Sequence, residues 1–450
     1  MRYKARPLRD AVPPSLLRRP RVESLTLENG LTAHLLPIPG SPTVSVWVWY
    51  RVGSKNERPG ITGASHWVEH MLFQGSPNYP KGAIDRAVIS VGGVLNAFTD
   101  PDFTAYFITV PRAHAELPLD IEADRMTRAT IAPVEVERER TVVRSEREGN
   151  ENWPEFRVDE EVHALAYTLH PYRWETIGLK EDINALTADD LGEYYRRFYG
   201  PKNAVLVVAG EFDPVAMASE VRTRFGALPA VGDDPRVRVH ELPMRGARRS
   251  VVRGPGTTPI LEVGWTAPAF DDPKTPATIL LDVLLGGETR LFAAGSGFGR
   301  GQEHPSSRLY RRLVDTGLAV HASSEWRPRV HPNLFAIDAQ AARGVSLERL
   351  EKAILAEVDR LSIHGPSAGE LREAREKIRR GAELAYEGAT RAGFRLGYFS
   401  AIARPEVEPE LLDRLLKVTA QGVRDRAREM FVPERSVTVG FVPEGGGADE

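Results

Sequence analysis

The stretch His66-Trp67-Val68-Glu69-His70 decides how the fold of this sequence is interpreted. On a helix, His66 and His70 lie one turn apart on the same face, where two imidazoles can bind one metal ion. Glu69 lies near that face and can reach a water on the metal without binding the metal itself. The pattern H-x-x-E-H is that of the inverted zinc hydrolases.

A charged segment further along the chain offers a third metal ligand. Residues 134–148 are predicted to form a long helix that contains five glutamates, at positions 135, 137, 139, 146 and 148. Glu139 and Glu146 are two turns apart and share a face, so one can bind the metal while the other orients a histidine. Two imidazoles and one carboxylate leave a fourth position of Zn²⁺ open, as in catalytic zinc sites. The alternative is a solvated acidic helix beside two unrelated histidines.

Composition narrows the classes of function. The 450 residues carry a formal net charge of -3, which argues against a nucleic-acid-binding protein that works by neutralising phosphates. The sequence has no cysteine, so disulfides are impossible and any metal must be bound by His, Asp or Glu. No stretch approaches the ~18–20 apolar residues of a membrane span.

The first 21 residues are basic and rich in proline. They lack the apolar run of a secretory signal, and we expect an irregular leader at 1–21 that packs on the first domain. A cytoplasmic location is the resulting expectation. A periplasmic location stays open if a signal once preceded this sequence.

Predicted elements recur in a similar order in the two halves of the chain. Strands are expected at 22–37 (a hairpin around Glu28-Asn29-Gly30), 43–52, 94–98, 104–110, 204–210, 261–265, 334–341 and 436–442. Helices are expected between them at 63–73, 81–91, 114–129, 134–148, 182–199 and 276–285, with a helix start at 307–314 and largely helical segments at 347–361 and 367–421. This order predicts an α+β chain of two similar domains, at 22–230 and 255–445, joined by a polar linker at 231–254.

The segments around these motifs resemble the pitrilysin-type (M16) zinc peptidases, in the branch of the mitochondrial processing peptidase. The matching segments are GASHWVEHMLFQGSPNYPKG, SVGGVLNAFTDPDFTAYF, ERERTVVRSERE, HPYRWETIG and YYRRFYGPKNAVLVVAGEFDP. These segments cover the N-terminal half, and the C-terminal half shows a weaker similarity. The resemblance implies two similar domains, each a mostly antiparallel sheet packed with helices (LuxS/metallohydrolase-like), that form half of a clamshell chamber.

The resemblance also implies roles for individual residues. One Zn²⁺ per chain would be bound by His66, His70 and Glu146. Glu69 would be the general base, and Glu139 would support the site. A peptide substrate would add as a strand to an exposed sheet edge, which is matched by Leu95, Asn96, Ala97, Phe98 and Thr99. For residues 96–97, an ordinary strand start after a Gly-Gly turn is the alternative.

The sequence departs from the family at the residues that stabilise the oxyanion. Self-sufficient members carry an Arg and a Tyr, seven residues apart, that contact the substrate carbonyl. Here the Arg position falls near Val314 and the Tyr position on Val320, and valine cannot donate a hydrogen bond. We therefore expect an endopeptidase for short unstructured peptides that works as the zinc-binding subunit of a heterodimer, with a homologous M16 partner supplying the pair. The alternatives are a non-catalytic scaffold subunit and a self-sufficient homodimer that uses Arg311 or Tyr310.

A Gly-rich tract at 286–304 is longer than the usual connection at this point. It is interpreted either as a surface insertion or as a loop at the chamber mouth or partner interface.

Overall fold

The computed structural model describes residues 21–287, 291 and 304–444. The first domain is built on a six-stranded sheet with the order β1-β2-β6-β3-β5-β4. Its strands are β1 (Glu23–Thr26), β2 (Thr32–Pro37), β3 (Thr43–Tyr50), β4 (Val94–Thr99), β5 (Thr104–Pro111) and β6 (Ala204–Gly210). The β2–β6 pair is parallel and the others are antiparallel, so the sheet is mixed.

Eight helices belong to the same part of the chain. They are α1 (Ala64–Met71), α2 (Ala83–Ser90), α3 (Glu116–Arg128), α4 (Pro133–Glu151), α5 (Pro154–Ala166), α6 (Lys180–Ala185), α7 (Ala188–Phe198) and α8 (Pro214–Phe225). Thr187 caps α7 as its sequence indicates, because its hydroxyl accepts a hydrogen bond from the backbone N–H of Asp190 at 3.2 Å.

The second domain repeats the mixed sheet with five strands in the order β7-β11-β8-β10-β9. The strands are β7 (Arg248–Gly254), β8 (Ile260–Ala267), β9 (Ala319–Trp326), β10 (Asn333–Ala341) and β11 (Ser436–Pro443). The helices are α9 (Thr275–Leu285), α10 (Leu347–His364), α11 (Ala368–Leu384), α12 (Ala389–Ile402), α13 (Val407–Lys417) and α14 (Ala420–Met430). The expectation of two similar α+β domains is confirmed.

The two domains exchange a helix, and this exchange holds them together. Helix α5 packs on β7, β11 and β8 of the second sheet, and α12 packs on β3 and β6 of the first. A Cβ on Gly393 would meet Trp47 at 2.6 Å, and one on Gly397 would meet Trp49 at 1.9 Å. Both tryptophans therefore pack directly against the backbone of α12, which explains why β3 carries Trp at alternate positions.

The opposite face of β3 positions the metal-binding helix. Val46, Val48 and Tyr50 lie in one buried cluster with Trp67 and Val68 of α1. Side chains alternate between the two faces of a strand, so β3 packs on α12 with one face and on α1 with the other. The helix that carries His66 and His70 is thus fixed to a buried strand inside the first sheet.

The structure differs from the predicted elements in four places. Residues 182–199 form two helices, broken before Thr187, rather than one. Helix α5 and strand β9 were not predicted. Residues 231–247 contain no helix or strand, but the last part of the predicted linker forms β7, which pairs in parallel with β11.

Two expectations fall on residues outside the described ranges. They are the leader, of which only residue 21 is described, and most of the Gly-rich tract at 286–304. Among the helices of the described ranges, none is both long and apolar enough to cross a membrane.

Candidate metal centre

Helix α1 starts at a tight contact with the loop that precedes α6. Gly63 has a φ of 87°, and a Cβ at this position would meet the carbonyl oxygen of Ile177 at 2.5 Å. The Glu57 carboxylate accepts hydrogen bonds from the backbone N–H groups of Gly63 and Ser65, each at 2.8 Å. It satisfies donors that have no partner within the helix, and so fixes the first turn of the metal-binding motif.

The two histidines lie on the side of α1 that faces α4. Trp67, Val68 and Met71 are fully buried on the core side. The rings of His66 and His70 are 4.7 Å apart between centroids, as expected for residues one turn apart.

Glu146 of α4 completes a group that can hold a metal ion. Its Oε2 lies 3.7 Å from His66 Nε2 and 3.6 Å from His70 Nε2. Donor atoms around a tetrahedral Zn²⁺ are separated by about 3.3 Å, given bonds of about 2.0–2.1 Å. The described structure therefore brings together the three predicted ligands at separations that fit one zinc ion.

Glu139, two turns before Glu146, contacts the second histidine. His70 Nδ1 lies 3.2 Å from Glu139 Oε2, and Gln74 Nε2 donates to Glu139 Oε1 at 2.7 Å. A proton on Nδ1 leaves the lone pair of Nε2 directed at the metal position, which is the usual arrangement of a carboxylate behind a metal-binding histidine. Gln74 was not predicted, although its spacing from His70, one further turn, was a usable signal.

Glu69 is held beside the metal position without belonging to the ligand group. Its side chain is 9% exposed, and its Oε2 accepts a hydrogen bond from Thr99 Oγ1 at 2.6 Å. Burial raises the pKa of Glu69 to about 7, although the Thr99 hydrogen bond and the charge of His70 act in the opposite direction. A carboxylate with a pKa near neutrality is suited to accept and return a proton.

The two histidines have opposite pKa shifts. Burial, followed by the charge of His70, lowers the pKa of His66 to about 3, so this imidazole is neutral and able to bind a metal. Burial also acts to lower the pKa of His70, but the hydrogen bond to Glu139 and the nearby carboxylates outweigh it and raise this pKa. The negative surroundings that raise it would equally attract a cation.

The predicted substrate strand is the edge strand β4. In the part of the chain that the structure describes, β4 pairs with β5 alone, so its other edge is open to another strand. Ala97 and Phe98 are buried, whereas Asn96 is exposed and accepts a hydrogen bond from the backbone N–H of Ala97 at 2.9 Å. Thr99 is the last residue of this strand and donates the hydrogen bond to Glu69.

The positions expected for the oxyanion pair lie in the second domain. Val320 is on the edge strand β9 and is 54% exposed, and Val314 ends a short π-helical turn. Arg308 is bound to Glu370 at 2.8 Å, and Arg311 donates to the backbone carbonyl of Ser307. These two arginines are therefore engaged within the second domain.

Comparisons with known proteins agree with this architecture. Residues 35–179 match the family described as Insulinase (Peptidase family M16), and residues 185–378 match the Peptidase M16 inactive domain. The chain is 32% identical to the zinc protease PqqE of Helicobacter pylori, over 76% of this chain and 75% of that protein. It is 27% identical to the mitochondrial-processing peptidase subunit beta of Blastocladiella emersonii, over 95% of this chain and 90% of that one.

A solved structure shows the same fold. The crystal structure of a protease from Helicobacter pylori superposes with a TM-score of 0.88 at 28% identity, covering 94% of this chain and all of that chain. The chain therefore belongs to the M16 peptidase family, in the branch that resembles the mitochondrial processing peptidase.

Proposed function

We propose that this chain is a zinc-dependent endopeptidase that hydrolyses short unstructured peptides. The observation that carries the proposal is the convergence of His66, His70 and Glu146 beside a buried carboxylate, Glu69. A protein with a purely structural role has no need of a base next to the metal ligands. The names of the relatives, which include several zinc proteases, support the same activity.

The donor set fits Zn²⁺, which when bound supplies a Lewis acid that polarises the scissile carbonyl and acidifies water. His66, His70 and Glu146 would hold it, and Glu139 would orient His70. Glu69 accepts a proton from the attacking water and passes it to the leaving amine. Its buried position raises its proton affinity toward the value that this exchange needs.

The peptide would bind as an extra strand on β4. Backbone hydrogen bonds along Leu95–Thr99 would bind peptides of many sequences, because they do not depend on side-chain identity. The strand ends at the hydrogen bond from Thr99 to Glu69, which would place the scissile bond next to the base. Enclosure of the peptide would require a second half, which a homologous chain would supply by closing a chamber over the site.

We propose that this homologous partner supplies the Arg/Tyr pair. The resemblance to the family aligns the exposed Val320 with the tyrosine of that pair, and an oxyanion donor contributes about 10²–10³ in rate. One relative is named as a subunit, the beta subunit of a processing peptidase, which supports an assembly of this kind. A non-catalytic subunit is the second candidate, favoured by the same missing pair.

Hydrolysis of a quenched-fluorescent peptide tests the proposal. The chain is assayed alone, with a homologous chain that carries the Arg/Tyr pair, and again with Glu69→Gln in place of the wild type. We expect activity only from the mixture with intact Glu69, and a loss of about 10²–10⁴ or more with Gln. Activity of the Glu69→Gln mixture would contradict the mechanism, full activity of the isolated chain would favour the homodimer, and inactivity of the zinc-loaded mixture would favour the scaffold subunit.

A further inference from the structure

A second group of metal-binding side chains lies where α5 approaches the sheet of the second domain. Asp159 and His163 occupy successive turns of α5, and Glu175 comes from the loop before α6. One donor atom from each residue lies within 4.8 Å of the other two. His163 Nδ1 is 3.3 Å from Asp159 Oδ1 and 4.0 Å from Glu175 Oε1. No motif in the sequence predicted this group.

Positive charge is scarce around these carboxylates. Among the described residues, His163 is the only basic group within ion-pair distance of Asp159 or Glu175. The two arginines that act on Asp159 electrostatically are paired with other carboxylates: Arg327 with Glu325 and Arg329 with Asp100. The imidazole of His163 is therefore the one basic partner that the carboxylates of Asp159 and Glu175 share within the described residues.

Glu262 on β8 is a further carboxylate that faces this group. A Cβ on Gly264, two residues along the strand, would lie 3.6 Å from Val162 of α5, so Glu262 also points to the side of α5. Its side chain is 7% exposed, and it makes no hydrogen bond or ion pair with any residue that the structure describes. The charges that act on it most strongly, those of Asp159 and Asp338, are also negative. A buried carboxylate in such surroundings is unfavourable unless a cation or a proton neutralises it.

The group is open to solvent on one side and closed on the other. Asp159 and His163 are 40% and 26% exposed, whereas Glu175 is 11% exposed. An ion can therefore enter from the α5 side and meet the buried Glu262 behind it. A combination of imidazole and carboxylate ligands suits first-row divalent ions such as Zn²⁺ and Mn²⁺.

We propose that Asp159, His163 and Glu175 bind a second divalent transition-metal ion, with the buried Glu262 beside them increasing the affinity for the cation. His163 Nδ1 lies 2.9 Å from the backbone carbonyl oxygen of Asp159. The ion replaces a proton on this imidazole, because metal and proton compete for the same lone pair. Since Glu262 belongs to the second sheet, the ion also stabilises the packing of α5 on that sheet.

Metal titration of a chain that lacks the first site tests this proposal independently of peptidase activity. The His66→Ala/His70→Ala protein is freed of metal with a chelator and titrated with ZnCl₂, and then with MnCl₂. We expect about one equivalent to bind, and the thermal unfolding midpoint to rise with the added ion. Adding His163→Gln to this background should abolish both effects.

Two further variants control for the fold and for unspecific binding. Glu262→Gln leaves the three ligands in place and should weaken binding by about 10–100-fold, as a residue behind the ligands does. His114→Ala removes an exposed histidine and should change nothing. Absence of bound metal in the His66→Ala/His70→Ala protein, or unchanged binding after His163→Gln, would overturn the proposal and leave an ion network neutralised by protons. If His163→Gln fails to fold, unchanged affinity in Glu262→Gln would count against the proposal.

Discussion

Thr99 Oγ1 donates a hydrogen bond of 2.6 Å to Glu69 Oε2 and so connects the open sheet edge to the carboxylate beside the two histidines. Thr99 is the last residue of β4, and Glu69 is on α1. In the proposed mechanism, a peptide pairs with β4 as far as Thr99, and Thr99 orients the base, Glu69. The segment predicted to bind substrate thus also supports the chemistry.

Replacement of Thr99 by valine removes the hydroxyl and keeps the shape of the side chain. We expect kcat of the assembled enzyme to fall by about tenfold, since a hydrogen bond to a charged group contributes about 1.5–3 kcal/mol at most. Thr99→Ser keeps the donor and should retain most of the rate. An unchanged kcat in Thr99→Val, or a loss in Thr99→Ser as large as that in Thr99→Val, would contradict the role of the hydrogen bond.

Glu139→Gln should weaken zinc binding by about 10–100-fold without unfolding the chain, because Glu139 acts on the metal through His70. Competition with a zinc chelator measures this affinity. The matched control is Glu137→Gln on the same helix, where the carboxylate is 66% exposed and pairs with Arg140. The role assigned to Glu139 would be wrong if the two variants bound zinc equally well.

Gly397→Ala tests the packing of α12 on the first sheet. Alanine usually stabilises a helix relative to glycine by about 0.5–1 kcal/mol. Here the new Cβ would meet Trp49 at 1.9 Å, so we expect a net destabilisation of about 1–3 kcal/mol in urea unfolding. Gly422→Ala on α14, where the Cβ has no contact shorter than 3.5 Å, should be neutral or stabilising. Equal stability of the two variants would contradict the helix exchange.

We expect His170 to make the free energy of unfolding depend on pH. Burial, followed by the charge of His331, lowers the pKa of His170 from 6.5 to about 4. The unfolded chain therefore binds a proton more readily, and the contribution to stability is complete above pH 6.5 and is lost as the pH falls toward 4. At pH 5 the loss is about 2 kcal/mol.

His170→Asn measures this contribution. Asparagine can still accept the hydrogen bond that His170 Nδ1 accepts from the backbone N–H of Tyr172 at 3.1 Å. The free energy of unfolding of the wild type should fall more steeply between pH 7 and pH 5 than that of the variant. Parallel curves for the two proteins would show that His170 is not the titrating group.

The sequence was sufficient to predict the local part of the site. His66, Glu69 and His70 are fixed relative to one another by the helix alone, so their spacing predicted their arrangement. The sequence also placed Glu139 and Glu146 on one face of α4 but left open which of them binds the metal, and the contact of Glu139 with His70 depends on how α4 packs against α1. The contact of Thr99 with Glu69 depends on how β4 packs against α1, and no pattern within either segment indicates it.

Sequence patterns could not predict the exchange of α5 and α12 between the domains for a similar reason. The apolar residues of α5, such as Val158 and Val162, pack on Val439 and Phe441 of the second sheet, far away in the sequence. Strand β9 mixes small, polar and apolar residues without alternation, and β7 contains adjacent arginines and adjacent valines. Both lie at sheet edges, where one face is partly solvated and the apolar pattern is weak.

Anomalous diffraction at the zinc absorption edge tests the central claim most directly. Crystals of the chain grown with ZnCl₂ should show a peak between His66 Nε2, His70 Nε2 and Glu146 Oε2, at about 2.0–2.2 Å from each atom. The same peak should persist in Glu69→Gln, since Glu69 is not a ligand, and should vanish in His70→Ala. Absence of a peak among these three residues in the wild type, or a peak that persists in His70→Ala, would contradict the account.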